Sequence, residues 1–193
     1  MREMYTVNEE KIKQGVRMIL EGIGEDVGRE GLIDTPDRIA RMYSKLFSSV
    51  GCTDDSIEAK VFAVQNSSIV AERDITFYSM CEHHMLPFFG RASVAYIPDG
   101  EVIGLSKLAR VVEFYSRKLQ LQERLTDEIA RAVSRKVKNK GVLVVLSAEH
   151  LCVSMRGITK PGSVTVSLSY TGLFKSEKNL RDEALAIIQS PLR

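Results

Sequence analysis

Two pairs of segments with a two-residue apolar repeat bracket two segments with a helical repeat, and that order leaves few architectures open. Over residues 69–78, Ile69, Ala71, Arg73, Ile75 and Phe77 alternate with Val70, Glu72, Asp74, Thr76 and Tyr78, which predicts a strand. Residues 89–97 predict a second strand, closed by the turn sequence Pro98-Asp99-Gly100. A helix carrying Leu108, Val111, Val112 and Tyr115 starts near Ser106. Another, carrying Leu125, Ile129, Ala132, Val133 and Val137, ends at Asn139-Lys140-Gly141. Residues 142–153 predict a third strand with Val142, Val144, Leu146, Ala148, His150 and Cys152 on one face. After Pro161-Gly162, residues 164–171 alternate Val164, Val166, Leu168 and Tyr170 against Thr165, Ser167, Ser169 and Thr171. Hairpin pairs around a helical pair predict an α+β fold, an antiparallel four-stranded sheet with two helices on one face in the order ββααββ. Such a sheet has two open edges, and pairing them between subunits would make a ring.

Ahead of this unit lie two helices. Ile12, Val16, Ile19, Leu20 and Ile23 share a face over residues 8–23, and Gly22 and Gly24 mark the end. Thr35 is the expected N-cap of the next, with Pro36 at its first position and a stripe of Ile39, Met42, Tyr43, Leu46 and Phe47. Residues 1–60 are therefore expected as an N-terminal helical segment and 61–193 as the main domain, with a terminal helix over 177–189. Lys and Arg number 27 and Asp and Glu 25, so the net charge is 27 − 25 = +2. That balance lacks the basic excess of a general nucleic-acid binder. No apolar run approaches the roughly 20 residues of a membrane span. The start, Met1-Arg2-Glu3-Met4-Tyr5, is polar, and a cytoplasmic protein is expected.

In a reducing compartment the three cysteines, Cys52, Cys81 and Cys152, do not form a disulfide framework. All three histidines sit beside two of them: His83 and His84 follow Cys81, and His150 precedes Cys152. Buried thiols and core histidines are the bland explanation, but it leaves that coincidence unexplained. Cys81-x-x-His84 has the spacing for two ligands from one loop, and Cys152 would arrive from a strand. Thiolate and imidazole donors suit a tetrahedral Zn²⁺, and three protein ligands leave a position for water, as in catalytic sites; a structural site would need a fourth ligand, which Cys52 could supply from the linker after the second helix. Spacing favours His84, with His83 the alternative. The remaining histidines are natural acid–base groups at neutral pH.

Lys107 and Arg110 lie three apart on one helix that begins near Ser106, and Arg156 follows Cys152 by four, with Lys160 beyond. Such residues suit phosphates at a helix N-terminus, although a solvated helix face explains the spacing equally. Glu123, after Gln122, is placed to accept two parallel hydrogen bonds from a guanine edge, or is an ordinary helix-start carboxylate.

At Cys81-Glu82-His83-His84 the sequence resembles the GTP cyclohydrolase I family. The likeness runs through residues 104–110, 122–126 and 150–157, and through Asp34-Thr35-Pro36-Asp37-Arg38-Ile39-Ala40, covering roughly residues 8 to 175. It implies the tunnelling fold, with sheets joined into a pentameric barrel and two pentamers stacked as a decamer. It implies Zn²⁺ held by Cys81, His84 and Cys152, and His83 and His150 as the acid–base pair. Glu123 with Gln122 would hold guanine, while Ser106, Lys107, Arg110 and Arg156 would surround ribose and triphosphate. No role comes to Lys160, and the tail past Lys178 is unmatched. The implied reaction opens the imidazole ring of GTP by hydrolysis at C8, releases formate and closes a new ring, giving 7,8-dihydroneopterin triphosphate for pterin and tetrahydrofolate synthesis. Two rivals stand beside it: a tunnelling-fold enzyme on another purine or pterin, such as a nitrile reductase with a cysteine nucleophile, and a non-catalytic ring protein with structural zinc. The zinc deaminase signature is absent.

Overall fold

The computed structural model describes residues 7–65 and 68–190; the polar start Met1–Tyr5 lies outside them. The chain divides into two compact units, one up to Cys52 and one from Thr53 onward. The first is a pair of helices, α1 (Glu9–Gly22) and α2 (Thr35–Leu46). Asn8 caps α1, its side-chain oxygen accepting from the Lys11 N–H at 2.9 Å. Val16 and Leu20 are buried in α1, and Pro36 and Ala40 in α2. Ser44 donates to Glu9 at 2.7 Å, and Lys13 bridges Glu10 and Asp37, both at 2.8 Å. The expected apolar stripe of α1 is only half used. Ile19 and Ile23 are exposed, because one partner helix covers one seam and Ile23 falls beyond the last turn. The N-cap of α2 is Asp34, one residue ahead of Thr35.

The second unit begins with a 3₁₀ turn, Asp54–Ser56, and a short strand β1 (Val61–Ala63). Long strands β2 (Val70–Cys81) and β3 (Pro87–Pro98) follow, then β4 (Glu101–Ile103), α3 (Leu105–Ser116), β5 (Leu119–Gln120) and α4 (Gln122–Lys136). The chain ends with β6 (Asn139–His150), α5 (Leu151–Ser154), β7 (Val164–Tyr170), α6 (Leu173–Ser176) and α7 (Lys178–Gln189). The main sheet has the order β5-β2-β3-β6-β7, and β1 and β4 make a separate two-stranded ribbon. The four expected strands are there, antiparallel throughout. A fifth, β5, adds parallel to the end of β2, so the sheet is not purely four-stranded and antiparallel. Asn139-Lys140-Gly141, expected as a helix stop, instead begins β6, and α4 ends at Lys136.

One sheet face carries the larger core. Phe77, Phe88, Val94, Tyr96, Val144 and Leu146 pack there with α3 residues Leu108, Val111 and Val112 and α4 residues Leu125, Ile129 and Val133. Each such side chain, fully buried, contributes roughly 1.5–3 kcal/mol. On the other face a smaller cluster joins Ala95, Ile97 and Leu143 to Phe174 and Ala184 of α6 and α7. Arg73 closes α7, donating to the carbonyls of Ile187 and Ser190 at 2.8 and 2.6 Å. No helix among the described residues is long and apolar enough to cross a membrane.

Two local features depart from simple alternation. Glu72 pairs with Val94 and Ile75 with Ala92, so Arg73 and Asp74 together face one partner residue in a bulge. Asp74 adopts a left-handed φ of 58° there, and its carbonyl accepts from Arg91 at 3.1 Å. Ile69 and Ala71 consequently pack on the smaller core and Ile75 and Phe77 on the larger, not together on one face as period two predicts. In β7 the apolar residues Val164, Val166 and Leu168 are exposed at 56, 57 and 46 %, whereas Ser167 and Ser169 bond to α4.

Candidate active site

Strand β2 ends at Cys81 and β3 starts at Pro87, and the turn between them is tightly held. Cys81 N–H donates to the Leu86 carbonyl at 2.9 Å, and Met85 N–H donates to the Cys81 carbonyl at 2.8 Å. Met85 closes the turn with a φ of 52°, a conformation non-glycine residues adopt rarely and keep where surroundings enforce it. Glu82 N–H donates to the Gln120 carbonyl at 3.1 Å, and its carboxylate pairs with Arg124 of α4. Arg124 also donates to the Gln120 side chain at 2.9 Å. The loop bearing His83 and His84 is thus tied to α4 and β5 through both backbone and side chain.

Cys152 reaches this loop by a different route from the one expected. The strand stops at His150, and the chain turns into the single-turn α5, so Cys152 does not share a strand face with His150. The turn brings its sulfur 4.0 Å from that of Cys81. One ligand atom each from Cys81, His84 and Cys152 lies within 4.8 Å of the others. A tetrahedral ion with Zn–S bonds of about 2.3 Å separates its sulfurs by about 3.8 Å, so the pair fits Zn²⁺ with little adjustment. Burial pushes the Cys152 thiol up, the neighbouring Cys81 adds to this, and Arg156 pulls it part of the way back. A bound dication would reverse that resistance of the Cys152 thiol to ionisation. His83 lies outside the group, edge-on to His84 with ring centroids 6.3 Å apart. Arg156 donates to His84 Nε2 at 2.8 Å. Cys52 is exposed, bonded weakly to the Ser48 carbonyl, and takes no part.

His150 ends β6 with its ring stacked on Phe88, centroids 4.6 Å apart and planes 2° from parallel. Its Nε2 meets Gln122 Oε1 at 2.7 Å. Burial lowers its basicity, and the charge of Glu123 partly restores it. Gln122 and Glu123 open α4, Gln122 buried and Glu123 exposed. Ser106, Lys107 and Arg110 lie in the first two turns of α3, with Ser106 and Arg110 exposed. Arg110 lines a cleft of about 300 Å³ with Tyr78, Glu113 and Arg117, a cleft that none of the three clustered ligands lines. No described contact joins the α3 residues to the Cys81–Cys152 group. Phe88, Arg124 and Ser167 support the site yet carry no sequence signal of doing so. Phe88 reads as an ordinary core aromatic, and only the pairing of Phe88 with His150 across β3 and β6 shows its part.

Fold and site together define a mixed α+β protein in which two thiols and an imidazole converge as candidate metal ligands, Cys152 lying two residues after the clamped His150. The chain belongs to the GTP cyclohydrolase I family, whose sequence model matches residues 12–189. It is 54% identical over 183 residues to GTP cyclohydrolase 1 of Clostridium kluyveri, covering 95% of this chain and 99% of that one. The Clostridium perfringens (strain 13) enzyme is 53% identical over 182 residues, covering 94% and 98%. That of Streptococcus pneumoniae (strain ATCC 700669) is 52% identical over 179 residues, covering 93% and 97%. Among solved structures, the archaeosine synthase QueF-Like in its apo form is similar over 56% of this chain and 97% of that chain, at 21% identity and a TM-score of 0.46.

Proposed function

We propose that this protein opens the guanine imidazole ring of GTP by hydrolysis, releasing formate and forming 7,8-dihydroneopterin triphosphate, with Zn²⁺ held by Cys81, His84 and Cys152. The observation that carries the reading is the convergence of those three donors beside His150 in a chain of this family. Zinc bound there would supply hydroxide at neutral pH, because coordination lowers the pKa of water from 15.7 to about 7. His150 protonates N7 of the guanine, which makes C8 electrophilic. His83, exposed on the hairpin loop, moves protons while the ribose opens and isomerises before the new ring closes. Glu123 accepts from N1–H and the 2-amino group. Ser106, Lys107, Arg110 and Arg156 hold ribose and triphosphate, so the reacting base is positioned without phosphate being consumed. One water is consumed overall for each formate released.

The catalytic domain takes the tunnelling fold and follows an N-terminal helical segment in the chain, with the boundary at Cys52 and Thr53, where the compact units divide, and not at residue 60 as expected. Its sheets join into a pentameric barrel, two of which stack as a decamer. This is supported by the exposed apolar residues of β7 and by Met18, Ile19 and Ile23 of α1, which are also exposed. Three free thiols accord with a reducing cytoplasm. The test is incubation with GTP while following formate and, after oxidation, pterin fluorescence, with and without chelator. Formate that appears only without chelator is expected. Zinc bound with no change in GTP would instead favour a structural metal in a non-catalytic ring.

A further inference from the structure

We propose that Gln122 is a positioning residue for His150 and makes no contact with the guanine ring; this rests on the cyclohydrolase reading and deepens it. Gln122 is 2 % exposed, at the start of α4. Its amide nitrogen lies 3.0 Å from the Thr165 carbonyl, 3.2 Å from the Leu146 carbonyl and 3.0 Å from Ser167 Oγ. Carbonyl oxygens only accept, so the NH₂ end must face them. The amide oxygen is thereby turned to His150 Nε2 at 2.7 Å. That oxygen also only accepts, so His150 carries its hydrogen on Nε2 whenever this bond is made.

Phe88 covers one face of the ring in parallel contact, which adds to the hydrogen bond in holding it. Nδ1 is then the nitrogen left to work on substrate, and no described residue hydrogen-bonds it. When the imidazolium gives its Nδ1 proton to guanine N7, the neutral ring that remains is the Nε2–H tautomer. Its bond to Gln122 is the same before and after. A histidine held this way needs no reorientation between accepting and donating. The support extends one layer further: Ser167 Oγ lies 2.6 Å from Thr126 Oγ1, which itself lies 2.6 Å from the Gln122 carbonyl. The polar face of β7 therefore serves the acid–base group. The expectation that Gln122 assists Glu123 with guanine gives way, since both ends of its amide are committed within the chain.

The test compares the full-length, zinc-loaded wild type with Gln122→Met, which keeps the side chain's length, and with Ser167→Ala, which removes one of the three acceptors. Steady-state kinetics with GTP and inhibition by ITP, which lacks the 2-amino group, are read alongside ¹⁵N spectra of histidine-labelled protein. Gln122→Met should lower kcat about 10- to 1,000-fold with KM for GTP and the preference over ITP within about twofold. Ser167→Ala should lower kcat less, in the same pattern, and covers the case in which Gln122→Met fails to fold. The wild-type His150 spectrum should show Nε2–H, and in Gln122→Met a tautomer mixture. A raised KM and lost preference over ITP at unchanged kcat would overturn the assignment, as would a wild-type spectrum showing Nδ1–H. If the wild type releases no formate, the cyclohydrolase reading falls, and the spectra still decide the positioning role.

Discussion

Cys152 is the residue on which the site depends most, because it alone brings the second sulfur from a distant part of the chain. Serine at that position keeps the volume but offers a hydroxyl that does not ionise near neutrality. Cys152→Ser should therefore lose bound zinc and formate release together, each by more than about a hundredfold; full occupancy with normal turnover would refute the ligand assignment. Glu123→Ala removes the proposed acceptor for the guanine edge and should raise KM for GTP about 10- to 100-fold at similar zinc content. Inhibition by ITP that is unaffected by the change would count against that role. The ligand types and their pairing with histidines were legible in residue spacing, since Cys81-x-x-His84 is a local arrangement. The role of Gln122 was not, because it depends on acceptors from β6 and β7 that are far apart in sequence.

Elements are where pattern and structure part most clearly. Period two predicts one continuous face over residues 69–78, yet the bulge at Arg73 and Asp74 moves Ile75 and Phe77 to the face opposite Ile69 and Ala71. Residues 142–153 read as one strand because alternation persists through Cys152, but the turn into α5 is what brings the two sulfurs together. Gly90 of β3 pairs with Ala148 of β6, and a Cβ there would sit 1.9 Å from the Ser147 carbonyl oxygen. Gly90→Ala should destabilise the unit by about 1–3 kcal/mol or more, read from the denaturant midpoint. Asp54 fastens the 3₁₀ turn to the helices, meeting Tyr115 at 3.1 Å, Arg135 at 3.3 Å and Lys136 at 3.6 Å. Burial alone would raise its pKa, but Lys136, Tyr115 and Arg135 outweigh burial and hold it below the usual carboxylate value. A depressed folded pKa contributes stability above the unfolded value of about 3.9 and loses it as pH falls through the folded value. Asp54→Ala should cost about 2 kcal/mol at pH 7, and the gap to wild type should narrow in acid below about pH 4. A gap constant from pH 7 to pH 3 would remove this ion cluster from the stability argument.

For the molecule as a whole, assembly is the property least visible in one chain. The outer edge of β7, and the edge of β2 away from β3 except at Met80 and Cys81, have no strand partner among the described residues. Val166→Asp places a charge on the exposed apolar face of β7 and should shift sedimentation from the proposed decamer toward smaller species. A wild-type monomer at micromolar concentration would exclude the barrel.

Residue chemistry and periodicity carried most of the element order and the candidate donors, with His84 favoured over His83, and the likeness of whole motifs carried the family, because each is encoded in residues a few positions apart. Folding in three dimensions settled which face of each strand is buried, how Cys152 meets Cys81, and which nitrogen of His150 is held. Those outcomes follow from backbone bulges, turns and hydrogen bonds between segments far apart in the chain, and a one-dimensional pattern contains no distances.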